Sequence, residues 1–116
     1  MKYKYINLEY LNEMSGGDRK MMLEMIDIYN AEVPGYLERM KTYLDSDDHE
    51  ALGKLAHKAK ASASIMGLKN LAEDLKQLEH LAKEGKDPDL YSDYVEKITV
   101  QFTLSIEELR QVARTI

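Results

Sequence analysis

Apolar residues recur at threes and fours through nearly the whole chain, and the segments that carry them are separated only by brief runs of glycine, aspartate and serine. That period places them on one side of a helix, and no stretch shows the alternation of a half-buried strand. The chain is thereby confined to folds that bury helix faces against one another. Ser15-Gly16-Gly17 separates a short leading segment from the first long one, with Asp18 placed as its N-cap. From about Arg19 to Leu44 the residues Met22, Met25, Ile26, Tyr29, Val33, Tyr36, Leu37, Met40 and Leu44 share a face and read as core. Pro34-Gly35 is expected to kink or interrupt that helix.

Asp45-Ser46-Asp47-Asp48 makes the next break, and Asp47 and Glu50 have the spacing of a capping box. A third helix runs from there to about Met66, where Gly67 stops it as a left-handed C-cap. Leu68, Leu71, Leu75, Leu78 and Ala82 form the stripe of a fourth helix, which Gly85 ends. Asp87-Pro88 reads as an N-cap followed by proline at the first helical position. Tyr91, Tyr94, Val95, Ile98, Phe102, Ser105, Leu109, Val112 and Ile116 then carry a last helix to the end. Connections this short make successive helices antiparallel. The expected fold is all-α, an antiparallel up-and-down four-helix bundle with a short additional N-terminal helix. Residues 1–116 have the length of one domain, and no repeat or linker divides them.

Composition removes several classes of function. The chain has no cysteine, which excludes disulfides, thiolate metal sites and thiol catalysis. Its net charge of −5 at pH 7 repels nucleic-acid phosphates and anionic lipid, so neither nucleic acid nor membrane is an expected partner. The opening Met-Lys-Tyr-Lys-Tyr-Ile lacks the pattern of a secretory signal, and no stretch approaches the roughly 20 apolar residues of a membrane span. A cytoplasmic location is the expectation. A di-metal carboxylate oxidase also lives in helical bundles, but it needs Glu-x-x-His pairs. The residues three before His49, His57 and His80 are Ser46, Lys54 and Gln77, so no metal site and no intrinsic cofactor is expected.

Among these three histidines, His57 stands out. Leu52, Leu55, Ala56, Ala59, Ala63 and Met66 cluster on one face of the third helix, and at about 100° per residue His57 points roughly 150° away from their mean. It should be exposed. Gly53, Ala61 and Ser64 lie one and two turns along its stripe, leaving a strip of small side chains that a partner can approach closely. Lys54, Lys58 and Lys60 flank the strip and concentrate positive charge suited to a phosphoryl group. His80 also has a lysine three residues on, Lys83, but its helical neighbours Lys76, Glu84 and Asp87 are long or charged. His49 reads as a solvated residue at a helix start.

The stretch from Leu55 to Leu68, Leu-Ala-His-Lys-Ala-Lys-Ala-Ser-Ala-Ser-Ile-Met-Gly-Leu, resembles the signature of histidine-containing phosphotransfer (HPt) domains. It has Ala-His, a lysine three residues after the histidine, small residues next, and a glycine ten after it. Leu71 and Leu78-Glu79 look like the family's next helix, and Gly17-Asp18, Tyr29 and Pro34 like its preceding one. Ala61 stands where the family commonly has glycine, and Ala59 where a larger aliphatic is common. The resemblance implies that His57 is the phosphorylated residue, that Lys60 assists electrostatically and that Gly67 is structural. It implies a phosphoryl carrier without ATP-dependent kinase activity, a monomer whose partners are response-regulator receiver domains and a hybrid sensor histidine kinase. Mg²⁺ is then expected on the partner receiver. The chain has no glycine-rich nucleotide loop, which separates it from the kinases themselves. The alternative from another class is a helical interaction adaptor without phosphoryl chemistry, distinguished by an unphosphorylated His57.

Overall fold

The computed structural model describes residues 3–116; Met1 and Lys2, the first two residues of the opening stretch read above, lie outside the described residues. The described chain is all-helical. Helix α1 spans Leu8–Met14, α2 Arg19–Asp45, α3 His49–Ile65, α4 Lys69–Glu84 and α5 Tyr91–Thr115, with a 3₁₀ turn at Pro88–Leu90. None of these helices is long and apolar enough to cross a membrane. Helix α2 packs on α3 and α5, and α4 packs on the same two, so each long helix has two long neighbours. The molecule measures 43 × 21 × 19 Å. The 27 residues of α2, at 1.5 Å each, span about 40 Å and account for its long axis.

The periodic apolar positions are the core. Ile26, Val33 and Met40 from α2, Leu52, Ala56, Ala59 and Ala63 from α3, Leu75 and Leu78 from α4, and Ile98, Phe102 and Leu109 from α5 are all essentially inaccessible to water. Tyr29 and Tyr36 of α2 tilt against Phe102 of α5, with ring centroids 6.0 and 6.4 Å apart. The buried Tyr29 hydroxyl lies 2.7 Å from Ser105 Oγ, whose own hydroxyl donates to the Phe102 carbonyl. This is why a serine can occupy a position on the apolar stripe of α5.

Four local expectations are corrected. Pro34 does not interrupt α2, which runs through it unbroken. Pro34 is exposed, so its ring meets solvent rather than the core, and the helix forgoes one backbone hydrogen bond there. The cap of α3 is Asp48, whose carboxylate accepts from the Ala51 amide at 3.2 Å, while Asp47 takes a left-handed turn at φ 55°. Asp87 makes no side-chain cap; Pro88 begins the 3₁₀ turn, and α5 starts at Tyr91. His49 is half-buried rather than solvated, because its ring meets Tyr91 edge-on at 4.9 Å.

Gly67 lies just past the end of α3 at φ +74°. A β-carbon there would come within 2.4 Å of the Tyr10 ring, whose hydroxyl donates to the Ser64 carbonyl at 3.3 Å. Helix α1 is thus seated against the α3–α4 turn. The segment before it is clamped from α5, where the Glu108 carboxylate accepts hydrogen bonds from the backbone amides of Lys4, Tyr5 and Ile6.

Candidate phosphotransfer site

Position 57 lies near the middle of α3, on the side turned from the core, and 64% of the His57 side chain is exposed. Its Nδ1 is 2.9 Å from Oε2 of Glu79 on α4. Glu79 is buried, yet Lys83 Nζ donates to the same Oε2 at 2.8 Å and Lys60 Nζ to Oε1 at 2.9 Å. Burial by itself would raise the carboxyl pKa. The hydrogen bonds from Lys83, Lys60 and His57 outweigh it and hold the group down at about 2, against an ordinary 4.5. At neutral pH Glu79 is therefore an ionised acceptor, so the proton on Nδ1 is the one in the bond. In the neutral ring that leaves the Nε2 lone pair free.

Two neighbouring helices divide the surroundings of His57. On the α4 side stand Lys60, Glu79 and Lys83. On the α2 side is a groove of about 380 Å³. Met25, Ile28, Tyr29, Ile65 and Met66 give it apolar walls, and Lys58 and Ala61 bring it up to the His57 stripe. Inside it the Tyr36 hydroxyl donates to Glu32 Oε2 at 2.8 Å and lies 3.0 Å from Ser62 Oγ. Burial raises the Tyr36 pKa, although its bond with Ser62 works the other way.

Of the residues expected around His57, Ala61 and Ser64 are exposed and Lys58 lines the groove. Lys60 is only 29% exposed and turns onto Glu79. Lys54 is a solvated residue paired with Glu50 at 3.3 Å. Gly53 is a correction: it is buried, not part of an open strip. A β-carbon on it would lie 3.2 Å from Lys83 Cγ and 3.5 Å from Ala82 Cβ, so the missing side chain lets α3 approach α4. Steps of four residues either way turn the helix about 40° in opposite senses. Ala61 consequently faces the groove while Gly53 faces α4.

Sequence reasoning missed Glu79 as a site residue and connected Lys83 with His80. His80 is exposed and its side chain makes no hydrogen bond among the described residues, whereas Lys83 reaches back one turn to Glu79. Two signals pointed there. Glu79 lies about 40° from Leu75 and 60° from Ala82, at the edge of the apolar stripe of α4, and Lys83 follows it at the i+4 spacing of a helical ion pair. Among the described residues no group of three or more His, Cys, Asp or Glu could hold a metal ion.

No curated protein sequence matches the chain. Its structure is similar to the crystal structure of histidine-containing phosphotransfer protein B (HptB) from Pseudomonas aeruginosa PAO1, with a TM-score of 0.90 over 99% of both chains at 20% identity. That likeness concerns the fold. The family model described as the Hpt domain matches residues 24–112, a span that contains α3, α4, the groove and every residue bonded to Glu79. On that match the chain belongs to the Hpt domain family, the histidine phosphotransfer proteins of phosphorelays.

Proposed function

We propose that His57 is the phosphoryl acceptor, and that the chain relays the group between receiver domains. Nε2 attacks the phosphorus of a receiver aspartyl phosphate in line; the N–P bond forms as the acyl O–P bond breaks, and the aspartate leaves as carboxylate. The ring keeps its proton on Nδ1 and becomes positively charged, and Glu79 offsets that charge without moving. Transfer onward to a second receiver is the same step reversed. A Mg²⁺ held by the receiver would offset the charge on the phosphoryl oxygens, and Lys60 adds positive charge one turn from the imidazole. The four long helices form an antiparallel up-and-down bundle in this reading, with α1 as an additional short helix. A hybrid sensor kinase supplies the pathway, and the carrier acts as a cytoplasmic monomer.

The observation that carries this reading is the exposed imidazole whose Nδ1 alone is engaged, by a buried carboxylate. Labelling by a phosphorylated receiver tests it. His57→Gln should abolish an acid-labile, alkali-stable label with far-UV circular dichroism unchanged, while His49→Gln and His80→Gln proteins are labelled normally. Lys60→Ala should slow labelling several-fold without abolishing it. Radiolabelled ATP alone should leave the protein unlabelled. Acceptance of phosphate by the His57→Gln protein at the wild-type level would sink the assignment.

A further inference from the structure

The groove between α2 and α3 is mostly apolar, its polar groups being Lys58, Glu32, Ser62 and the Tyr36 hydroxyl, and its rims leave Ile28 and Ile65 59% and 54% exposed. Apolar side chains this open beside a reactive residue mark a surface that a partner covers. Glu32 is fixed within it. The Tyr36 hydroxyl bonds Oε2 at 2.8 Å and Ser62 Oγ donates to the same oxygen at 3.3 Å. Among the described residues Oε1 accepts no hydrogen bond and Glu32 has no ion-pair partner. The side chain has thus lost rotational freedom before any partner arrives, and an incoming cation meets a carboxylate already in place.

We propose that Glu32 selects which receiver docks: the groove takes an apolar side chain from the receiver's docking face, and a receiver lysine or arginine about one helical turn away pairs with Oε1. The proposal rests on the reading that His57 exchanges phosphoryl groups with receivers. Charge complementarity favours a cation-bearing receiver face. The protein carries −5 overall, and the groove's one carboxylate, Glu32, keeps Oε1 free of protein donors among the described residues. Lys58, across the groove, disfavours faces whose only charge there is basic and placed opposite it.

The test uses the full chain and a panel of phosphorylated receiver domains from the same genome, with initial labelling rates measured against receiver concentration. For the receiver that labels fastest, Glu32→Gln keeps an acceptor for Tyr36 and Ser62 but loses the charge. It is expected to raise KM roughly three- to tenfold with kcat unchanged, and Glu32→Lys to raise it further, the differences shrinking as salt is added. Reversing the matching receiver cation to glutamate should restore the Glu32→Lys protein. Unchanged KM in both variants, an effect confined to kcat, or losses that no receiver charge reversal repairs would overturn the proposal. So would a concentration-dependent dimer that Glu32→Lys disperses while transfer is unaffected, since a second copy would then own the groove. Wild type that no receiver labels removes the reading of His57 and this one together. Wild type labelled with the same KM as the Glu32→Lys protein removes this one alone.

Discussion

Glu79 accepts from three nitrogens with two oxygens, and its titration ties the site to the stability of the molecule. The carboxyl titrates at about 2 when folded, against an ordinary 4.5 that describes the unfolded chain. Between those values the unfolded chain binds more protons, so the contribution is complete above about pH 4.5 and is lost as pH falls through about 2. Its size is on the order of 2–3 kcal/mol. Denaturant titrations of wild type should therefore lose more stability between pH 5 and pH 2.5, by roughly that amount, than those of Glu79→Gln, which has no proton to take up. Parallel pH profiles for the two proteins would show that Glu79 is not held ionised. The exposure of His57 was legible in the sequence because it follows from helical phase on one segment. The bonds from His57 and Lys60 to Glu79 were not, because those two lie on a different helix and only the pairing of α3 with α4 brings them to it.

At the scale of elements, glycine at position 67 answers to two demands. Its φ of +74° penalises any side chain, and the Tyr10 ring occupies the place of a β-carbon. Gly85 has a similar φ of +65° but nothing within 4 Å. Gly85→Ala should accordingly cost about 1–2 kcal/mol from backbone conformation alone. Gly67→Ala should cost more, because α1 must also move, and urea titration of both variants measures the excess due to the Tyr10 contact. Equal losses would mean that α1 shifts freely. The helix stop itself could be read from the sequence, but the tyrosine could not, since it approaches from 57 positions earlier in the chain. Helix ends failed in the same way elsewhere. Asp47 and Asp48 are chemically equal as caps, and only the left-handed turn at Asp47 hands the role to Asp48. At Pro34 the local rule forecast a disruption that the packing of Val33, Tyr36 and Met40 on the core overrides.

Across the whole molecule the two ends of the chain are joined by one side chain. Glu108 near the end of α5 takes the amides of Lys4, Tyr5 and Ile6, and Ile6 is buried at 6% exposure. Glu108→Ala should cost about 1–3 kcal/mol and speed hydrogen exchange at the Tyr5 and Ile6 amides. Unaltered protection of those amides would show the clamp to be absent in solution. All-helical architecture and most of the core followed from periodicity, whereas this long-range closure has no local signature. The placement of the imidazole on the ridge of α3 has its own consequence for descent with change. The groups that hold the ring are on α3 and α4, and half of the wall that meets the groove's occupant, Glu32 included, is on α2. A duplicated copy of the gene could accumulate substitutions along α2 and acquire a new correspondent while inheriting the proposed acceptor ring and its carboxylate intact, so paralogues are expected to diverge on one flank of the ridge and stay alike on the other.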